Sequence, residues 1–413
     1  MSTAVERARI ALLGCGTVGR AFATLTANTI ADAHPRQITA ALVRNTARPD
    51  ARTLPPLTDD PRLLLESEPD VLVELLGGIE PACSLVLGAL EKRIPVVTAN
   101  KKLLAHHGAR LREAAHRTGT PLLYEAAVIA GVPFLGTFSR RPRAAAAAGF
   151  VGIVNGTCNF ILTRCADDNV TIETALADAQ RRGYAEPDPS DDVRGVDARD
   201  KLALLLQHFA HADVPLDEIE TGGLDQIGQL QAAHALELGG IIKPLVFADW
   251  SGSGVEAFSG PAFVALGHPL ASVHGVENAI ALETRAGRLI FRGPGAGPDV
   301  TAATVLDDVE EVLAGTAQPP QQVRATPVSA PQTGWLVTLD GASLPHGTDV
   351  ADLLASHGLF AFRTTATHTR GGRESRSFLL WPAGRETVER ALRSLAAACG
   401  CTATCLRSVG VER

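Results

Sequence analysis

A run of acidic residues followed by a lysine carries the side chains best suited to chemistry. Residues 183–201 include Glu186, Asp192, Asp197 and Lys201. Asp197 and Lys201 are four positions apart, so they share one face if this part of the chain is helical. The pair is then either an exposed salt bridge worth about a few tenths of a kcal/mol, or an acid that orients a lysine in a pocket. In the second case Glu186 and Asp192 would face the ammonium group of a substrate.

A glycine-rich turn stands near the start of the chain, between an apolar run and a helical pattern. Gly14 and Gly16 would allow a tight turn and a close approach of the backbone to a pyrophosphate, and Gly19 would let helix and strand pack closely. Thr17 and Val18 would open the helix whose N-terminus faces the anion. This context favours a dinucleotide site over an ordinary glycine turn.

Residues at the ends of two predicted strands indicate which cofactor binds and where it binds. Arg44 stands where an NAD-selective site usually has an acid, and Arg48 is close by. A guanidinium suits a 2′-phosphate, so NADP(H) is favoured over NAD(H), the alternative being a solvated arginine. Thr98 and Lys101 close the fourth predicted strand, at the sheet edge where ligands bind. Lys101 is therefore predicted at the cofactor, the alternative being a surface lysine.

The elements that must position these residues begin with alternating strands and helices. Short apolar runs at 9–14, 38–43, 70–76, 94–98 and 121–125 alternate with helical patterns. Repeated βα units predict an α/β fold with a Rossmann-type, doubly wound parallel sheet over residues 1–135.

The remainder of the chain is organised differently. Residues 136–317 predict an α+β domain. Residues 318–333 contain four prolines and no periodicity, which indicates a linker. Residues 334–413 follow the order βαββαβ of a ferredoxin-like domain, which we expect to fold separately.

Composition excludes several classes of protein. With 413 residues, 46% of them hydrophobic, the chain has apolar material for roughly two to three domains. A net charge of −7 argues against nucleic acid as a partner. Asparagines and glycines interrupt the one long uncharged stretch, 144–163, so it predicts a strand and helix and no membrane partner. Seven cysteines at irregular spacing favour a cytoplasmic location.

Together these motifs resemble the homoserine dehydrogenase family. The resemblance covers about residues 9–313 and rests on 14–19, 98–101, 155–157, 183–201 and 293–297. It implies NAD(P)H-dependent interconversion of L-aspartate 4-semialdehyde and L-homoserine, within threonine and methionine biosynthesis. It also implies that Lys201 is the catalytic proton donor, that Asp192 and Asp197 hold the substrate and orient Lys201, and that Glu186 binds the substrate.

The same resemblance implies further site residues. Lys101 would lie close to both nicotinamide and substrate, and Gly297 beside the cofactor. Substrate-pocket segments contain Gly156, Thr157 and Tyr184. Main-chain carbonyls would bind a monovalent cation at Glu125, Val128, Ala130 and Val132. An oxygen-only shell suits a hard cation such as Na⁺ or K⁺.

The tail resembles the ACT regulatory domain that many bacterial members carry. That domain implies an amino-acid effector, threonine, but the usual Asp-x-Pro-Gly turn is replaced here at 339–346. We therefore expect a weak response to threonine. The family also implies a homo-oligomer, a dimer or a tetramer. It implies as well that 136–317 form the substrate-binding, catalytic and dimerisation domain, with 298–317 returning to the nucleotide domain.

Two other functions remain possible on the sequence. One is a sensor that binds NADP(H) without turnover, in which the Asp197–Lys201 pair is a surface bridge. The other is aspartate-semialdehyde dehydrogenase, which needs a nucleophilic cysteine near a histidine, and Cys158 is the candidate.

Overall fold

A computed structural model describes residues 7–28, 35–48, 50–140, 146–344 and 347–410. The chain divides into two compact units. The first consists of Met1–Ala146, Ala203–Leu216 and Gly293–Thr326. The second consists of Ala147–Leu202, Asp217–Arg292 and Pro327–Arg413.

The elements are as follows in chain order. The first stretch forms β1 (Ala8–Leu13), α1 (Thr17–Asn28), β2 (Arg36–Leu42), β3 (Leu57–Thr58), α2 (Pro61–Glu66), β4 (Val71–Glu74), α3 (Ala82–Glu91), β5 (Val96–Thr98), α4 (Lys101–Thr118), β6 (Leu122–Leu123) and α5 (Leu135–Arg140). The middle forms β7 (Ala147–Ile153), α6 (Gly156–Asp168), α7 (Ile172–Arg181), α8 (Ser190–Val193), α9 (Val196–Phe209), β8 (Ala212–Asp213), β9 (Glu220–Thr221), α10 (Gln229–Glu237), β10 (Gly240–Asp249), β11 (Val255–Ala265), β12 (Glu277–Thr284), β13 (Gly287–Pro294) and α11 (Pro298–Leu313). The remainder forms β14 (Arg324–Ala325), β15 (Val328–Ser329), β16 (Thr333–Gly341), α12 (Gly347–Ser356), β17 (Ala361–Thr364), β18 (His368–Arg370), β19 (Arg373–Ala383), α13 (Arg385–Cys399) and β20 (Thr402–Val409).

The first unit contains the predicted parallel sheet, in the order β3-β2-β1-β4-β5-β6. Every neighbouring pair in it is parallel. Residues 10–13 of the central strand β1 are apolar and buried, because both faces of a parallel sheet are covered by helices. Its Ile10 and Leu12 share a core with Ala302 and Val305 of α11. The Rossmann-type prediction is confirmed, and the strand that the sequence missed, β3, is only two residues long.

The second unit contains a mixed sheet in the order β13-β12-β7-β10-β11-β20-β16-β19-β17. The last four strands in this order belong to the tail, and adjacent strands among these four pair antiparallel. That order is the one expected of a βαββαβ unit. The tail's fourth strand, β20, also pairs parallel with β11, where residues 407–409 lie beside 262–264.

The tail belongs to the second compact unit together with the middle region, whereas the sequence predicted a separately folding domain. The physical reason is that the tail sheet is apolar on both faces. Val337 and Leu339 of β16 face α12 and α13 in one core, whereas Leu336 of the same strand packs in another core with Phe160 and Phe263 of the middle region. The second face therefore needs a cover that the tail's own helices do not supply.

The predicted linker also contains paired backbone. Within 318–333, β14 pairs with β8 in the first unit and β15 pairs with β11 in the second. The assignment of roles to residue ranges, nucleotide binding, catalysis and regulation, stays a prediction.

The uncharged stretch that resembled a membrane span forms, from residue 146 onward, β7 and the first part of α6. Among the helices of the described residues, none combines the length and apolarity needed to cross a bilayer.

Candidate functional site

The glycine turn links the carboxyl end of β1 to α1, which begins at Thr17. Gly14 has a φ of +95°, and a Cβ there would lie 2.7 Å from the carbonyl oxygen of Leu75. A Cβ at Gly19 would lie 2.2 Å from the carbonyl oxygen of Gly14. Gly16 is different, since it is exposed and a Cβ there meets no atom within 4 Å. The fold itself requires Gly14 and Gly19, whereas Gly16 leaves the backbone open to an approaching ligand.

This difference gives a test of the dinucleotide site. We expect Gly16→Ala to keep the melting temperature and to raise the Kd for NADPH about tenfold or more, because the added methyl occupies the space a pyrophosphate would need. Gly19→Ala should instead lower the melting temperature, since the clash is with backbone. Thermal unfolding and NADPH fluorescence titration on both variants check this. Equal cofactor binding by wild type and Gly16→Ala would remove the turn from the cofactor site.

Arginines surround the turn. Arg48 donates from Nη1 to the carbonyl oxygen of Cys15 over 2.9 Å and from Nε to Asp50 over 2.6 Å. Arg20 donates to the other oxygen of Asp50 over 2.9 Å. The hydrogen bond from Arg48 holds the pKa of Asp50 below its ordinary value. Arg44, the residue singled out in the sequence, follows the end of β2 and is exposed.

A buried carboxylate organises the strand ends next to the turn. Glu74, the last residue of β4, is fully buried and accepts hydrogen bonds from Thr98 Oγ1 over 2.5 Å and from Asn100 Nδ2 over 3.3 Å. Burial raises the pKa of Glu74, and these bonds oppose the rise. Asn100 also caps α4, whose first residue is the half-buried Lys101. Sequence analysis missed Glu74 and Asn100, although a glutamate inside an apolar strand was a usable signal.

Lys201 lies in a buried ion pair in the second unit. Its Nζ is 3.1 Å from Asp197 Oδ2 and donates to the carbonyl oxygen of Val154 over 2.7 Å. Lys201 is 9% exposed and Asp197 is 3% exposed. An exposed helix salt bridge is thereby excluded, because charges at this depth are retained only with close partners.

Asn155 joins both acids of this site. It ends the loop after β7 and donates from Nδ2 to Asp192 Oδ1 and to Asp197 Oδ2, each over 2.7 Å. The structure thus brings Asp192, Asp197 and Lys201 together, and their catalytic and binding roles stay predictions. Asn155 was part of a sequence motif but was not assigned a role.

The other predicted substrate residues border the same loop. Thr157 Oγ1 donates to the carbonyl oxygen of Tyr184 over 2.7 Å. Tyr184 is 43% exposed and Glu186 is exposed. At Gly156 a Cβ would lie 2.5 Å from the carbonyl oxygen of Val276, so packing alone requires this glycine.

Cys158 is unsuited to nucleophilic catalysis. Its thiol is buried and donates to the carbonyl oxygen of Asp192 over 3.2 Å. Burial, together with the charges of Asp192 and Asp197, raises the pKa of Cys158 well above its usual value. Because the thiolate is the reactive form, this environment disfavours the thioester chemistry of an aspartate-semialdehyde dehydrogenase.

The segment predicted to bind a cation is fixed by its own side chain. The Glu125 carboxylate accepts from the backbone N–H groups of Phe134, Leu135 and Gly136 over 2.7–2.8 Å. Its backbone N–H donates to buried Asp308 over 3.1 Å, and burial raises the pKa of both acids. Within the same segment, Val128 and Val132 are buried.

The donor set of that segment fits a hard monovalent cation. The carbonyl oxygen of Ala130 already accepts from the hydroxyl of Thr304 and keeps a second lone pair. A nearby cation would favour the ionised forms of the two buried acids, Glu125 and Asp308, against the effect of burial. Among the described residues, no group of three or more His, Cys, Asp or Glu side chains is placed to hold a metal ion.

Gly297 precedes α11 with a φ of +129°, a conformation that favours glycine. It belongs to the first unit, as do the glycine turn and Lys101.

A parallel sheet in the order 3-2-1-4-5-6 with this glycine turn is the architecture of a dinucleotide-binding Rossmann domain. A family model described as homoserine dehydrogenase, NAD binding domain, matches residues 14–125, and one described as homoserine dehydrogenase matches 133–309. The homoserine dehydrogenase of Synechocystis is 37% identical over 321 residues, which cover 74% of this chain and 73% of that protein. The chain belongs to the homoserine dehydrogenase family.

Other relatives agree. The homoserine dehydrogenase of Corynebacterium glutamicum is 39% identical over 313 residues, covering 73% of this chain and 70% of that one. The crystal structure of a homoserine dehydrogenase from Thiobacillus denitrificans matches with a TM-score of 0.88 and 30% identity, over 98% of each chain. That of Staphylococcus aureus at pH 7.5 matches with a TM-score of 0.79 and 27% identity, over 98% of this chain and all of that one.

Proposed function

We propose that this homoserine dehydrogenase uses NADP(H) in preference to NAD(H) to interconvert L-aspartate 4-semialdehyde and L-homoserine, as a step of threonine and methionine biosynthesis. The observation that carries the proposal is the buried Lys201, held by Asp197 and by the carbonyl oxygen of Val154. A lysine fixed in this way can deliver a proton at one defined place.

The chain's own residues account for proton transfer and substrate placement. NADPH, when bound, supplies the hydride that adds to the aldehyde carbon. The Lys201 ammonium then donates a proton to the oxygen that has gained the electron pair, giving the hydroxyl of homoserine. In the reverse direction the neutral amine of Lys201 accepts that proton. Asp197 orients Lys201 throughout, and Asp192 and Glu186 bind the substrate ammonium.

The cofactor residues follow from the first unit. Backbone around Gly14, Gly16 and Gly19, with Thr17 and Val18 at the start of α1, would hold the pyrophosphate. Thr98 and Lys101 would border the nicotinamide, and Gly297 the cofactor's other side. Lys101 opens α4 at the carboxyl edge of the parallel sheet, and its catalytic role rests on the family resemblance.

Three further assignments rest on the family resemblance. Carbonyl oxygens of Glu125, Val128, Ala130 and Val132 would bind Na⁺ or K⁺. The tail would respond weakly to threonine, since its effector turn is altered, and part of that turn lies outside the described residues. The enzyme would be a cytoplasmic dimer or tetramer.

One assay tests the proposal. Purified protein is mixed with L-homoserine and NADP⁺ at alkaline pH, and the NADPH absorbance band is followed. We expect steady formation of NADPH that depends on homoserine. Tight NADP(H) binding without turnover would support the sensor, and NADPH formation only from the semialdehyde with phosphate would support an aspartate-semialdehyde dehydrogenase.

Cofactor preference has its own test. Arg44→Ala should raise the KM for NADPH about tenfold and leave the KM for NADH nearly unchanged, because only NADPH carries the phosphate that a guanidinium binds. Arg48→Ala should weaken both cofactors, since Arg48 also holds the glycine turn at Cys15. Exposed Arg52 supplies the control, Arg52→Ala. An equal loss for both cofactors in Arg44→Ala would contradict the preference argument.

A further inference from the structure

Two consecutive residues at the end of β7 hold the charged groups of the catalytic cluster. Val154 binds Lys201 through its carbonyl oxygen, and Asn155 binds Asp192 and Asp197 through its side-chain amide. Asn155 is itself 5% exposed. The end of one strand therefore sets the positions of side chains from α8 and α9.

The amide of Asn155 is used at both ends. Its two N–H groups point to different carboxylates, each over 2.7 Å. Its oxygen accepts from the backbone N–H of Cys158 over 2.8 Å and so caps α6. Because the amide oxygen of Asn155 caps α6, only its N–H donors can point toward the two acids. The orientation of the Asn155 side chain is therefore fixed.

The two hydrogen bonds that Asn155 donates stabilise two negative charges that lie close together. Asp192 and Asp197 bring two negative charges to one side chain, and Lys201 brings one positive charge. Two carboxylates sharing a site raise each other's affinity for protons, and hydrogen bonds to the charged form oppose this. Asn155 supplies one such bond to each acid without adding charge.

Building on the proposed function, we propose that Asn155 is a positioning residue of the active site, whose single amide sets Asp192 for substrate binding and Asp197 for orienting Lys201. Its chemistry is specific to asparagine at this place. Serine or aspartate could keep the helix cap, but serine has one donor and ionised aspartate has none.

The test compares variants that keep the cap. Asn155→Ser should lower kcat for homoserine oxidation about tenfold to a hundredfold and raise the KM for homoserine, while the KM for NADP⁺ stays within about twofold. The acid limb of its pH–rate profile should shift, because neutral Lys201 is the base in this direction and a displaced Asp197 changes the affinity of Lys201 for a proton. Asn155→Asp should lose more activity than Asn155→Ser, since it adds a third carboxylate.

Asn159 supplies a matched control on the same helix. It is fully buried and donates to the carbonyl oxygens of Val273 and Glu277, outside the catalytic cluster. Asn159→Ser should lower the melting temperature and leave kcat and the pH profile of the folded enzyme unchanged.

The outcomes separate the two proposals. A wild-type chain that does not oxidise homoserine refutes the proposed function. An active wild type with an unchanged pH profile and homoserine KM in Asn155→Ser refutes the positioning role alone. So does an Asn155→Asp variant as active as Asn155→Ser. If Asn155→Ser does not fold, Asn155→Asp decides, because aspartate caps helices as well as asparagine does.

Discussion

Replacing Lys201 with alanine is expected to lower kcat for homoserine oxidation by about 10²–10⁴-fold, the range that a positioned general acid or base contributes. The variant would lose the group proposed to accept the proton of the homoserine hydroxyl, and it would also leave Asp197 buried without the Lys201 Nζ 3.1 Å away. Binding of NADPH should change little, because the glycine turn belongs to the other compact unit. Steady-state kinetics and NADPH titration measure the two effects separately.

Exposed Lys92 provides the control for this substitution. Lys92→Ala should keep kcat, so a fall in both variants would indicate a general effect of lysine removal. Near-normal turnover in Lys201→Ala, at unchanged protein stability, would falsify the proton-transfer role.

Truncation after Ala317 is expected to abolish the folded state of the second unit. It removes β20, which pairs with β11, and strips Leu336, Leu379 and Leu406 from a core shared with the middle region. Deleting buried leucines costs about 2–5 kcal/mol each, and the chain has only about 5–15 kcal/mol of stability to lose. Expression yield, circular dichroism and size-exclusion chromatography check the outcome.

Two point substitutions test the shared core without removing the tail. Leu406→Ala should lower the melting temperature by disturbing the shared core, whereas Phe360→Ala, at a residue 59% exposed, should not. A truncated chain that stays folded and active would show that the tail is dispensable. Threonine inhibition that persisted in such a chain would place the effector site before residue 318.

The first unit was the more predictable half, because its signals are local. Apolar runs such as β1 and β4 end in glycine or polar residues and are separated by helical patterns, so strand order follows from the rules for βαβ connections. The two-residue strand β3 shows no period and could not be found in this way.

In the tail, the order of the elements could be predicted from sequence, but their pairing with the middle region could not. Its order of strands and helices was predicted, because each element has its own period. The pairing of β20 with β11 depends on which sheet edge is available, and that is decided by residues far away in sequence. The apolar character of both faces of β16 was visible, yet it does not say what covers the second face.

The residues of the candidate site also differ in whether their contacts could be predicted from local sequence. Asp197 and Lys201 could be paired from their spacing on one helix. Glu74 and Asn155 could not be given a role, because their partners come from other strands and helices. A buried polar residue is recognised by what it bonds, and those contacts exist only in the folded chain.

The pairing of β11 with β20 also affects the order in which the chain folds during synthesis. During synthesis β11 leaves the ribosome long before β20, since residues 266–401 lie between them. Until β20 has been synthesised, the edge of β11 at residues 262–264 is without its native pairing partner. The apolar face around Phe263 is likewise without its native cover. Exposed strand edges and apolar surface invite aggregation. The second unit therefore completes its sheet late, and a chaperone that shields β11 during that interval would favour the native pairing.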